Sequence, residues 1–347
     1  MADKTEMNEF FLRDFTVESG ESFQNAKLVW KSYGTLSPNR DNVIVYPTSF
    51  AAQDSDTDWL IGTDGVLDPS RWFIIIPNMF GNGLSSSPSH KNGYPALVTA
   101  ADNVRAQKRL LEEQFGITRV KCVYGWSMGA QQAYHWATLF PDAVESIVVN
   151  CGSARTSPHN KVFIQGMMAI LEAAPEYTGN GRFSSRPEAA LRAFGRVYAG
   201  WALSQEFYRE KKYLGVGGAQ NLEDYIANNW NGRFASRHGS DLHAHLNTWL
   251  HGDISANAKF GGDLAAALAS IRCRVLLMPG ETDLYFRVAD NKLELEHLRH
   301  ARLTPIPSIW GHVAGNPRQN PADAAFLRDT VRDWLTSQFN RGGENDE

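Results

Sequence analysis

Ser127 stands within Gly125-Trp126-Ser127-Met128-Gly129, a G-x-S-x-G segment. An apolar run, Val120 to Tyr124, precedes it, and a helical pattern, Ala130 to Phe140, follows. A serine placed this way can attack a carbonyl. The sharp strand-to-helix turn holds the serine in a strained backbone conformation, and side chains two positions away on either side would collide. Glycine at 125 and 129 removes the collision, so the hydroxyl stands clear at the end of the sheet. The helix that follows aims its N-terminus at the same point and favours the negative charge that develops during attack.

A serine hydroxyl is a poor nucleophile at neutral pH. It needs a general base, and the base needs an acidic partner to fix its tautomer. In this arrangement the chain order is nucleophile, acid, base. Asp283, in Pro279-Gly280-Glu281-Thr282-Asp283, lies where a later strand ends and is the expected acid; Glu281, within the turn, is the rival. His312, in Trp310-Gly311-His312-Val313-Ala314-Gly315, lies on the loop after the last expected strand and is the expected base. His297 and His300 fall in the preceding helical stretch. The oxyanion needs two backbone N–H groups. Met128, the residue after the nucleophile, supplies one; the Thr48-Ser49-Phe50 turn supplies the other, from Ser49 or Phe50, with Ser49 favoured.

These residues need a scaffold of alternating strands and helices. Ala26 to Tyr33 alternates apolar and polar residues, as a half-exposed strand near a sheet edge does. Val43 to Tyr46, Trp72 to Pro77, Val120 to Tyr124, Ser146 to Asn150, Arg274 to Pro279 and Leu303 to Ile306 read as further strands. Helical patterns occupy Ala96 to Phe115, which ends at Gly116, the stretch near Asp290 to Arg299, and Pro321 to Phe339. The fold class is therefore α/β, with a mostly parallel central sheet flanked by helices. The alternation breaks at 153–269, where helical segments such as Lys161 to Ala173, Pro187 to Ala202 and Leu222 to Trp230 come with many aromatic residues. This stretch is expected to be a helical lid inserted into a core made of 1–152 and 270–347.

Composition removes several other roles. The 347 residues are 43 % hydrophobic and 21 % charged, as in an ordinary globular protein with a sizeable core. A net charge of -4 without a dense Lys/Arg block argues against nucleic acid as a partner. The three cysteines, Cys122, Cys151 and Cys273, lie widely spaced in or beside apolar runs and read as reduced, buried thiols. The histidines at 135, 238, 243, 245 and 251 lack the spacing and the carboxylate or cysteine company of a metal site, so no metal is expected. Met1 to Phe10 is polar and acidic, unlike a signal peptide, and no apolar run approaches the ~20 residues of a membrane span. The expectation is a cytoplasmic enzyme with no membrane partner and a frayed tail, Arg341 to Glu347.

Around the G-x-S-x-G segment the sequence resembles the homoserine O-acetyltransferase family of α/β-hydrolases. The likeness is closest over Tyr94 to Gly152, in Tyr94-Pro95-Ala96-Leu97-Val98-Thr99, Asp102-Asn103-Val104-Arg105-Ala106-Gln107, Leu110-Leu111 and Gly116-Ile117, and in an elbow similar to the family's G-x-S-M-G. A weaker likeness extends from about residue 15 to 335 and includes the lid. The resemblance implies an α/β-hydrolase fold with Ser127, Asp283 and His312 in the triad positions, and a homodimer formed through the lid. It also implies that Arg192, in Arg192-Ala193-Phe194-Gly195, matches the arginine of the family's A-R-x-I-G segment, which holds a substrate carboxylate.

The sequence departs from the family in two places. Where the family has G-H-D-A-F, with an aspartate that helps recognise the amino group of homoserine, this chain has Gly311-His312-Val313-Ala314-Gly315, and valine cannot pair with an ammonium. Gly81-Asn82-Gly83-Leu84 and the Ser/Pro-rich positions after it replace the family's glycine-rich loop. The expected function is hydrolysis of a small carboxylic ester, in the first place an acetyl ester, through an acyl-serine and without a cofactor. The alternative is an O-acetyltransferase using acetyl-CoA as co-substrate, with homoserine or another small hydroxyl compound as acceptor. An intact Ser127, Asp283, His312 order argues against a non-catalytic binding scaffold.

Overall fold

Strands that must bury both faces need helices on each side of the sheet. The computed structural model describes residues 7–90 and 93–337. In chain order its main elements begin with β1 (Asn8–Leu12), β2 (Ala26–Tyr33), β3 (Val43–Val45), β4 (Phe73–Pro77), α1 (Ala100–Phe115), β5 (Cys122–Trp126), α2 (Met128–Leu139) and β6 (Ser146–Asn150). The chain then leaves the sheet for α3 (Pro158–Glu172), a hairpin of β7 (Tyr177–Gly179) and β8 (Arg182–Phe183), α4 (Glu188–Ala202) and α5 (Gln205–Arg209). Next, α6 (Leu222–Tyr225) passes through a π-helical segment, Ile226–Asn231, into α7 (Gly232–Ala235), followed by α8 (Gly239–Leu250) and α9 (Leu264–Ala269). The chain returns through β9 (Arg274–Met278), α10 (Val288–Leu295), β10 (Ala301–Leu303) and α11 (Pro321–Thr336).

The eight-stranded sheet has the order β1-β2-β4-β3-β5-β6-β9-β10. β1 pairs antiparallel with β2, and β2 with β4; the remaining pairs are parallel. Side-chain alternation splits the central strands between two cores. Val45, Val123, Val149 and Leu277 face a core shared with α1 and α2, while Ile44, Tyr124, Val148 and Leu276 face the one closed by Leu327, Val331 and Trp334 of α11. A third, aromatic core lies in the inserted helices, where Phe163, Phe194, Tyr198, Phe234 and Trp249 pack together. It is continuous with Phe50 and Met128, so the insertion and the serine turn share side-chain contacts.

Several elements differ from the sequence expectation, each for a local reason. β1 is an additional edge strand, and it makes β2 an internal one. Helix α1 starts at Ala100 instead of Ala96, because Thr99 caps it: the Thr99 side chain accepts the Asp102 N–H, and the Asp102 carboxylate accepts the Thr99 N–H. The last strand is Ala301–Leu303, earlier than the expected Leu303 to Ile306. Pro305 has no N–H to give a ladder, and Ile306 makes only an isolated bridge with Gly280. Helix α11 ends at Thr336. The expected tail, 341–347, lies outside the described residues, as do 1–6 of the N-terminal segment. Among the described residues, no helix is long and apolar enough to cross a membrane.

Glu294 on α10 joins three elements: its carboxyl accepts from Ala154 N–H at 2.7 Å, Tyr134 O–H at 2.8 Å and Asn291 Nδ2 at 2.8 Å. Burial pushes this carboxyl from 4.5 up to about 7, against the lowering effect of those hydrogen bonds. A raised folded-state value means that the native state holds the proton more tightly. The stability it contributes is full below 4.5 and is lost as pH rises through about 7. Urea unfolding of wild type and Glu294→Gln should therefore show the wild type losing stability relative to the variant across that window. A difference that stays flat from pH 4 to pH 8 would contradict it.

Candidate active site

β5 ends at Trp126 and α2 begins at Met128, so Ser127 must reverse the chain within one residue. It does so at φ 58°, ψ -126°. Such a conformation costs a residue with a Cβ on the order of 1–3 kcal/mol and persists only where the surroundings enforce it. They do: Ser127 N–H donates to Asn150 O at 3.0 Å on β6, and its C=O accepts from Ala130 N–H at 2.9 Å. A Cβ on Gly125 would lie 2.1 Å from Gly129 O, and one on Gly129 would lie 2.7 Å from Pro47 O. The two glycines are what let the turn close.

The structure brings Ser127, His312 and Asp283 together. Ser127 Oγ donates to His312 Nε2 at 2.9 Å, and His312 Nδ1–H donates to Asp283 Oδ2 at 2.8 Å. Asp283 Oδ1 accepts the amides of Tyr285 at 2.8 Å and Phe286 at 3.2 Å, which orients the carboxylate and leaves Oδ2 for the imidazole. With Nδ1 protonated against Asp283, Nε2 is left to accept the serine proton. All three residues are 3 % exposed, so these hydrogen bonds form away from bulk water.

Aromatic rings hold the imidazole in place. Trp126 stacks on it at 5.1 Å between centroids and 23° between planes, Tyr285 meets it edge-on at 5.1 Å, and Phe286 lies at 5.5 Å. Thr282 ties the acid and base loops, since Gly311 N–H donates to Thr282 Oγ1 at 3.1 Å. Trp126 was inside the serine motif, but Tyr285 and Phe286 carried no sequence signal beyond their closeness to Asp283. A cleft of about 630 Å³ opens beside this loop, between Ser157 and His159 at the start of α3, Ser204 before α5, and Thr282 to Tyr285.

Cys151 sits behind the acid. Its Sγ and the Asp283 and His312 donor atoms all lie within 4.8 Å of one another, a grouping that could in principle hold an ion. The 2.8 Å between His312 Nδ1 and Asp283 Oδ2 is a hydrogen bond with its proton, which leaves no room between those atoms. Burial also pushes the Cys151 thiol well up, so it stays protonated.

Met128 opens α2, and its N–H precedes the first intrahelical bond. In the facing turn, Thr48 N–H donates to Pro77 O, Ala51 N–H to His245 Nδ1 and Ala52 N–H to Ser49 O. Among the described residues, the amides of Ser49 and Phe50 donate to no protein acceptor, so both are available beside Ser127's turn. Helix α4 buries Leu191, Phe194, Gly195 and Tyr198 on one face, and Arg192 lies on the same helix with an exposed side chain. Glu281 and His297 are likewise exposed.

Comparison with known proteins gives a consistent group of relatives. A family model described as the alpha/beta hydrolase fold matches residues 59–314. The chain is 35 % identical over 309 residues to a "probable esterase" of Corynebacterium glutamicum, covering 86 % of each chain. It is 32 % identical over 304 residues to an ethyl acetate hydrolase of Pseudomonas veronii, again covering 86 % of each. A homoserine O-acetyltransferase of Zymomonas mobilis is 26 % identical over 358 residues, with 93 % of this chain and 94 % of that one covered. The crystal structure of an acetylester hydrolase from Corynebacterium glutamicum superposes with a TM-score of 0.87 at 32 % identity, over 94 % of this chain and 96 % of that one.

If Asp283 fixes the tautomer of His312, Asp283→Asn should lower kcat for a small ester by roughly 10³–10⁴-fold, because the amide can present its N–H to Nδ1 and leave Nε2 protonated. Steady-state kinetics with p-nitrophenyl acetate measures this. A loss below about tenfold would rule out that role.

Proposed function

The chain belongs to the α/β-hydrolase fold family, and from that premise we propose that it is a serine hydrolase of small carboxylic esters, acetyl esters foremost, working through Ser127, His312 and Asp283. The observation that carries this is the continuous chain of hydrogen bonds from Ser127 Oγ through His312 to Asp283, at 2.9 Å and 2.8 Å, built on a serine held at φ 58°. His312 Nε2 takes the proton as Ser127 Oγ bonds to the carbonyl carbon. The oxyanion rests on the amides of Met128 and of Ser49 or Phe50. Collapse breaks the ester C–O bond, and the alcohol leaves with the proton from Nε2–H. Water then attacks the acyl-serine with His312 as base, releasing the carboxylic acid and restoring Ser127. No cofactor enters these steps. Esterase relatives above 30 % identity support the hydrolytic reading.

The depth of the site favours a second reading. Ser127 and His312 are 3 % exposed beneath the aromatic lid, which could shield the acyl-serine from water until an alcohol intercepts it. In that reading acetyl-CoA supplies the acetyl group to homoserine or another small hydroxyl acceptor. Val313, half-buried against the lid's aromatic core, offers an acceptor ammonium no charge. We further propose a homodimer through the lid, on the exposed apolar side chains of Val162 on α3 and Val197 on α4, at 67 % and 41 %. Cytoplasmic residence is supported by the free, buried cysteines.

A paired assay separates the two chemistries. Acetate release from ethyl acetate and p-nitrophenyl acetate should be fast, and CoA release from acetyl-CoA should be indifferent to homoserine. CoA release that depends on homoserine or another alcohol would establish the transferase instead.

A further inference from the structure

The turn that would supply the second oxyanion amide contains an unusual residue. Ala52 N–H donates to Ser49 O at 3.0 Å, closing a four-residue turn in which Ala51 takes the third position at φ 54°. That position requires the left-handed region, where glycine is at ease and a Cβ is not. The turn therefore depends on partners from elsewhere. They come from the lid: Ala51 N–H donates to His245 Nδ1 at 3.0 Å, and Ala51 C=O accepts from Arg237 Nε at 2.7 Å.

Both partners are themselves fixed. His245, on α8, is 1 % exposed, and its other ring nitrogen donates to Phe80 O at 3.0 Å in the loop after β4. Since Nδ1 receives an N–H, the imidazole must be neutral with its proton on Nε2. Burial pushes the group down to about 4, which keeps it so at neutral pH. Arg237, between α7 and α8, spends its terminal nitrogen on Asp56 Oδ2 at 2.7 Å, just past the turn.

We infer that His245 and Arg237 are positioning residues for the oxyanion hole: holding both polar groups of Ala51 from the lid, they fix the adjacent Ser49 and Phe50 amides. Released, Ala51 would relax towards negative φ and the turn backbone would shift with it, taking the Ser49 and Phe50 amides out of line with the carbonyl under attack. The lid and the oxyanion turn are then one mechanical unit. This inference rests on the acyl-serine chemistry proposed above, whichever group takes up the acyl.

Two near-isosteric substitutions separate His245's bonds. In His245→Asn, Oδ1 can accept from Ala51 N–H, while the bond to Phe80 is lost. In His245→Gln, the amide reaches Phe80 O and offers Ala51 nothing. With p-nitrophenyl acetate, kcat should fall about tenfold or more in His245→Gln with KM within about twofold, and less than about threefold in His245→Asn. A packing role alone gives the opposite order, since Gln is nearer to His in length. Adding Ala51→Gly to His245→Gln should recover part of the kcat, because glycine holds φ 54° without a clamp. Arg237→Lys, which can still face Asp56 but lacks Nε–H, should show the same split between kcat and KM and serves if His245→Gln does not fold. Wild-type turnover with kcat of His245→Gln equal to or above that of His245→Asn, or with kcat unchanged in Arg237→Lys, would overturn the inference alone. A wild type without ester turnover would overturn the proposed function, and the inference with it.

Discussion

The structure turns on one strained residue. Ser127 at φ 58° is tolerable only because β6 accepts its N–H, α2 uses its C=O, and glycines at 125 and 129 leave the turn room to close. The strained turn sets the hydroxyl at the carboxyl end of the strands, where loops from β3, β9 and β10 can converge on it. The parallel sheet sets that end, and the two cores hold it rigid.

Around that point the protein replaces water with aromatic rings and fixed dipoles. Trp126, Tyr285 and Phe286 leave the His312 imidazole little freedom to rotate, and Asp283 reaches it with one oxygen because backbone amides occupy the other. The lid completes the enclosure, its aromatic core running without a break into Phe50 and Met128. Preorganisation of this kind lowers the reorganisation needed when charge develops.

Much of this was legible in the sequence where the signal is local. Buried parallel strands read as apolar, β-branched runs, and the glycine spacing around Ser127 states its own geometric requirement. The chain order of Ser127, Asp283 and His312 follows from where the strands end. Other features depend on distant partners. β1, five residues long and half-exposed, is too short for its pattern to mark a strand. His245 gives no hint in its own neighbourhood, since the amide it accepts lies 194 positions away. Arg192 was suggested by a short motif alone, and the helical phase set by Leu191, Phe194 and Tyr198 leaves its side chain exposed.

The most direct measurement of the nucleophile assignment is intact-mass analysis after exposure to a fluorophosphonate, with wild type and Ser127→Ala compared at matched fold by circular dichroism. A single adduct on the wild type and none on Ser127→Ala is the expected result. An adduct that persists at the same rate in Ser127→Ala would show that another residue is the nucleophile.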